Sequence, residues 1–129
     1  MNYVAIVALL ALLQYVAFGA AVGRARVRHG VRAPAVTGHE VFERHFRVQQ
    51  NTLELLVALL PALWMFALYV DAHWAAALGA VYLVGRTLYF AAYVREPSRR
   101  EVGFALSLVP IVVLLVGALI GAALPLLGR

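Results

Sequence analysis

The 129-residue sequence predicts an all-α membrane protein, a bundle of four transmembrane helices forming a single domain over residues 1–129. Three observations carry the prediction. Hydrophobic residues make up 64% of the chain and charged residues 13%, with a mean hydropathy of +0.87, too little polar surface to cover a soluble domain of this size. The apolar residues fall into four runs, each near the ~20 residues that cross a ~30 Å hydrocarbon core. Nine of the eleven basic residues, all arginines, fall in the first and third connections between runs.

The first run, Asn2 to Gly23, has no basic residue ahead of it and is too long and continuous for a cleavable signal, so it reads as span one. Arg24 to Gln49 then reads as the one substantial loop: six arginines stand against Glu40 and Glu43, with turn signals at Pro34, Thr37 and Gly38. Span two runs from about Val48 to Val70 and carries Pro61, which a membrane helix tolerates where neighbours satisfy the freed carbonyl. A tight turn around Asp71, Ala72 and His73 leads into span three, about Trp74 to Val94. A short charged connection, Arg95 to Glu101, leads into span four, Val102 to Leu127. Trp64, Tyr69, Trp74 and Tyr82 gather towards the Asp71 turn as interfacial aromatics would.

The arginine asymmetry places the first and third connections in the cytoplasm and both termini on the other side. The net charge of +5 is therefore a membrane-face feature, and no nucleic-acid partner is expected. There is no cysteine, which excludes disulfides, thiolate metal sites and a protein-borne thiol nucleophile; any thiol chemistry must come from a bound molecule. His29, His39, His45 and His73 show no metal-ligand spacing on a common helical face, so no metal is expected. The absence of lysine and the wealth of alanine, valine and arginine suggest a GC-rich bacterial gene, hence a bacterial inner membrane.

The polar residues of the spans are concentrated near the cytoplasmic boundary. On a helix Arg47, Asn51 and Glu54 are four and three residues apart and share a face. Glu54 lies within an apolar run, where an ionisable residue is costly unless it is paired, as with an arginine of another span, solvated or functional. Span three offers Arg86, Tyr89 and Tyr93, again on one face. At 1.5 Å per residue Arg86 lies about 13 Å from Arg95, close to the midplane, so it must face protein or water. With Arg26, Arg95, Arg99 and Arg100 in the connections, these faces describe a cationic, tyrosine-lined pocket holding one carboxylate. Its natural guest is an anionic, zwitterionic molecule.

Two stretches resemble the family of membrane-associated proteins in eicosanoid and glutathione metabolism (MAPEG). FERHFRVQQNTLE, Phe42 to Glu54, resembles the E-R-x-x-R-x-Q-x-N-x-x-E signature at every named position, and GRTLYFAAYVREPSRR, Gly85 to Arg100, resembles the R-x-x-Y-F-x-x-Y run with its distal arginine. The resemblance covers essentially the whole chain in length and span order. It implies a left-handed bundle assembled as a homotrimer, glutathione as co-substrate bound between neighbouring protomers, and a lipophilic substrate drawn from the bilayer and its lipids. Arg26, Arg47, Gln49, Asn51, Glu54, Arg86, Tyr89 and Tyr93 match its glutathione-holding positions, and Arg100 matches the arginine beside the glutathione sulfur. Two departures stand out: Leu55 replaces a tyrosine of the synthase members, and Val27 replaces a second arginine beside which Arg28 stands. Pro97 in the connection also bears on the register of Arg100.

The resemblance thus implies a glutathione transferase, with possible peroxidase activity, in which Arg100 favours the thiolate for attack on a lipophilic electrophile or lipid hydroperoxide. Two other readings stand beside it. One is a non-catalytic lipid-binding or scaffold member of the family, against which the retained Arg100 and polar signature argue. The other is a proton-coupled drug exporter, which needs an acid in the first span; here that span offers only Gln14, which reads as a packing residue.

Overall fold

The computed structural model describes residues 1–128 and consists of four long helices: α1 (Asn2–His29), α2 (Glu40–Tyr69), α3 (Ala72–Arg95) and α4 (Glu101–Leu127). Each is long and apolar enough to cross a membrane. A 3-10 turn, Pro97–Arg99, bridges α3 and α4. The order places the α1–α2 and α3–α4 connections at one end and the α2–α3 turn at the other.

The helices run past the apolar segments that the sequence marks out. The expected loop Arg24 to Gln49 is mostly helical, and the connection is only Gly30 to His39. Hydropathy marks where lipid ends, whereas a helix ends where its backbone hydrogen bonds do. α1 stops at Gly30, in the left-handed region (φ 69°), with its N–H bonded back to Arg26 O. α2 starts where the His39 side chain accepts from Val41 N, with Glu40 and Glu43 complementing the first-turn dipole. α3 likewise starts two residues before Trp74, at Ala72, because Asp71 Oδ1 accepts from His73 N at 2.7 Å and caps it. α2 continues unbroken through Pro61.

The core joins all four helices: Val4 and Ala11 of α1, Leu59 and Leu63 of α2, Ala75 and Tyr82 of α3, and Ile111 and Leu114 of α4 are all buried. Of the aromatics near the α2–α3 turn, Tyr82 is core, while Trp64, Tyr69 and Trp74 are exposed on the outer face. α3 and α4 approach at backbone distance. A Cβ at Gly85 would lie 2.6 Å from Leu106 C, and one at Gly103 would lie 2.4 Å from Tyr89 N. Small residues at such crossings let helices pack where apolar burial alone gives no preference for protein over lipid. Gln14 adds a polar tie between α1 and α3, its Nε2 donating to Leu83 O and Thr87 Oγ1, each at 3.1 Å.

Candidate functional site

A polar cavity of about 580 Å³ opens at the end of the bundle carrying the two longer connections. Arg47, Gln50, Asn51 and Glu54 of α2 form one wall, Tyr89 and Tyr93 of α3 the other, and Arg100 lies at the rim with Val36, Thr37, Glu43 and Phe46. The α2 residues meet because a helix repeats every 3.6 residues, so positions 47, 50, 51 and 54 fall in one stripe. The two tyrosine rings stack with centroids 5.4 Å apart. The Arg100 turn is closed by its own side chain, Nη1 donating to Pro97 O at 3.0 Å. Pro97 opens this turn, where the missing N–H costs nothing, and Arg100 follows it into α4.

Glu54 is exposed to the cavity, and no basic nitrogen of the described residues lies within ion-pairing distance of it. The interhelical salt bridge that its depth could have signified does not form among the described residues. The cavity has two carboxylates where the sequence marks one: Glu43 accepts from Gly38 N, and Glu54, with the cavity-facing arginines, suits a ligand carrying both anionic groups and an amine.

Three of the sequence-marked residues sit elsewhere. Arg86 does not line the cavity but is fully buried behind it. Its Nη1 donates to Asn51 Oδ1 at 2.7 Å and to Thr52 Oγ1 at 3.1 Å, and its Nε to Ser107 Oγ at 2.9 Å. Gln49 turns to α1, its Nε2 lying 2.8 Å from where a Cβ on Gly19 would be. Arg26 donates to Ala35 O at 2.7 Å and lies over the Phe42 ring, 4.7 Å from its centroid, bracing the first connection.

Other residues of the site carry only a weak sequence signal. Gln50 is one position from Gln49 yet occupies the cavity stripe, three residues from Arg47 and four from Glu54. Thr52 and Ser107, the buried partners of Arg86, stand out only as hydroxyls inside apolar runs. Arg44 belongs to the signature yet faces the end of α3: its Nη1 donates to Val94 O and Arg95 O at 3.2 and 3.1 Å, while its Nη2 pairs with Glu40. It therefore satisfies carbonyls that the last turn of α3 leaves free.

The chain is 50% identical over 116 residues to an uncharacterized protein of Synechocystis sp., covering 90% of this chain and 85% of the relative. It is 42% identical to microsomal glutathione S-transferase 2 of Mus musculus, covering 95% of this chain and 83% of that protein. With leukotriene C4 synthase of Cavia porcellus the identity is 40%, over 74% of this chain and 64% of that protein. The family model described as "MAPEG family" matches residues 4–120, from α1 into α4. The chain is thus an integral membrane protein that belongs to the MAPEG family.

Proposed function

We propose that the protein is a membrane-embedded glutathione transferase, with peroxidase activity towards lipid hydroperoxides, that activates glutathione as a thiolate. The carrying observation is the single cavity that gathers Arg47, Asn51, Glu54, Tyr89, Tyr93 and Arg100. Arginines there suit the carboxylates of glutathione, and Glu54 suits its amino group. Arg100 at the rim suits the sulfur. A free thiol has a pKa of about 8.5, and a nearby guanidinium lowers it by favouring the charged form. The names of two relatives, a microsomal glutathione S-transferase and a leukotriene C4 synthase, support the same chemistry.

In conjugation the thiolate attacks an electrophilic carbon: a C–S bond forms and the leaving group departs with the bonding pair. In peroxide reduction the thiolate attacks the O–O bond, giving an alcohol and glutathione sulfenic acid, which a second glutathione converts to disulfide and water. Both reactants are concentrated at one interface, so positioning contributes alongside activation. The reading includes a homotrimer in which Arg26 and Gln49, outside the cavity of their own chain, serve a neighbour's site. It places the site on the cytoplasmic face of a bacterial inner membrane.

An ultraviolet difference spectrum of the detergent-solubilised protein with glutathione tests the reading. Thiolate absorbance near neutral pH, lost in Arg100→Ala, is expected, with turnover falling more than affinity. Tight binding without a thiolate signal supports the second reading, a non-catalytic lipid-binding or scaffold member. No binding overturns both.

A further inference from the structure

Arg86 is wholly buried, and no carboxylate of the described residues pairs with it. A guanidinium has only donors, so every atom that faces it productively is an acceptor. Two of its three hydrogen-bond partners are committed to that role. Thr52 Oγ1 donates its proton to Val48 O and Ser107 Oγ donates to Gly103 O, each at 2.7 Å, so both hydroxyls can only accept from Arg86. The Tyr89 ring covers the guanidinium, with its centroid 4.2 Å from Cζ. The charge is thus held in one orientation by four residues on three helices.

This orientation decides the chemistry of Asn51. An asparagine amide carries an acceptor on one edge and donors on the other, and rotation exchanges them. The edge against Arg86 must be the oxygen, since an NH2 there would set donor against donor at 2.7 Å. The amide nitrogen then bonds to no described protein group and is not sealed in the interior, while Asn51 itself lines the cavity. The cavity therefore meets Asn51 as a donor.

We propose that Arg86 is a positioning residue that fixes Asn51 as a hydrogen-bond donor towards the cavity, so that the ligand group met there is a carboxylate or a peptide carbonyl. This rests on the glutathione reading and deepens it, because the carboxylates and peptide carbonyls of glutathione are acceptors. Arg86 acts without touching the ligand.

Asn51→Asp and Arg86→Met, singly and together, test the proposal through calorimetric glutathione binding, steady-state kinetics and thermal unfolding in detergent. Asn51→Asp keeps the contact with Arg86 as an ion pair but replaces the donor edge with an acceptor. Its melting temperature is expected at or above the parent's, with Kd and KM for glutathione raised about tenfold or more and kcat changed little. Arg86→Met is expected to weaken binding, and the double variant to lose less than the two single losses combined. An Asn51→Asp variant that binds glutathione within about twofold of a binding parent overturns the donor assignment and leaves the transferase reading standing. Additive losses overturn the link between Arg86 and Asn51. A parent that binds no glutathione overturns the transferase reading and this inference with it. Should Arg86→Met fail to fold, Asn51→Asp alone decides the donor assignment.

Discussion

Gly103 lies so close to Tyr89 that a methyl group on its α-carbon would come within 2.4 Å of the Tyr89 backbone nitrogen and 2.6 Å of its Cα. The contact ties the α3–α4 crossing to the cavity, because Tyr89 lines it and packs over Arg86. Backbone cannot give way as a flexible side chain can. Gly103→Ala should therefore separate the helices, cost about 1–3 kcal/mol of stability as overpacking does, and weaken glutathione binding in addition. Gly23→Ala is the control: nothing lies within 4 Å of the added carbon. In a helix that change is neutral or stabilising by up to about 1 kcal/mol. Thermal unfolding and binding of both variants check the pair; equal behaviour would remove the crossing from the account of the site.

Arg44 holds the end of α3, and the Arg100 turn begins within two residues of that end. Arg44→Met releases the carbonyls of Val94 and Arg95, and hydrogen bonds to a charged group contribute about 1.5–3 kcal/mol. Amide exchange at residues 94–100 should accelerate while the middle of α3 stays protected. Turnover should fall more than the melting temperature suggests, because Arg100 loses its anchor. Arg44→Lys, with a charge but no fork, should restore only part of the protection. Unchanged exchange at 94–100 would show that the turn holds without Arg44.

Much of this arrangement is legible in the sequence, for a physical reason. Lipid demands apolar runs of fixed length, so the four spans declare themselves, and helical periodicity alone places Arg47, Asn51 and Glu54 on one face. What periodicity cannot supply is the angular position of a face about its own axis. Gln49 and Gln50 are adjacent and chemically alike, yet one meets α1 at Gly19 and the other the cavity. Arg86 shares a helical face with Tyr89 and Tyr93, but its depth sends it to Thr52 and Ser107 instead of the opening. The helix ends at His29 and Glu40 escape a hydropathy reading because capping by Gly30 and His39, not lipid contact, sets them.

The α1–α2 connection should be sensitive to acid. The His29 ring stacks on His39 with centroids 3.8 Å apart. Desolvation first, then the charges of His39, Arg28 and His45, hold its pKa below the usual 6.5. A histidine with a lowered folded-state pKa binds fewer protons folded than unfolded, so its contribution is intact above the unfolded pKa and declines as pH falls below it. Amide exchange over residues 30–39 should accelerate modestly between about pH 7.5 and pH 5.5, and His29→Gln should flatten the change. A profile unaltered by His29→Gln would assign the sensitivity to other groups.

Arg26 provides the sharpest test of the homotrimer. Its guanidinium is bonded to Ala35 O and lies outside the cavity that contains Arg100. If each site draws Arg100 from one subunit and Arg26 from its neighbour, a mixed trimer can rebuild intact sites from two defective chains. Arg26→Gln and Arg100→Ala chains, each nearly inactive alone, are co-expressed in equal amounts and purified through different tags. In a closed cyclic trimer that carries both tags, one interface in three, about a third, then carries both native arginines. Activity should return to roughly that fraction of the parent value, with the glutathione KM of the parent. No recovery despite proven mixing would mean that Arg26 acts only within its own chain, bracing the first connection through Ala35 and Phe42. In that case its loss should appear in the melting temperature of the Arg26→Gln protein.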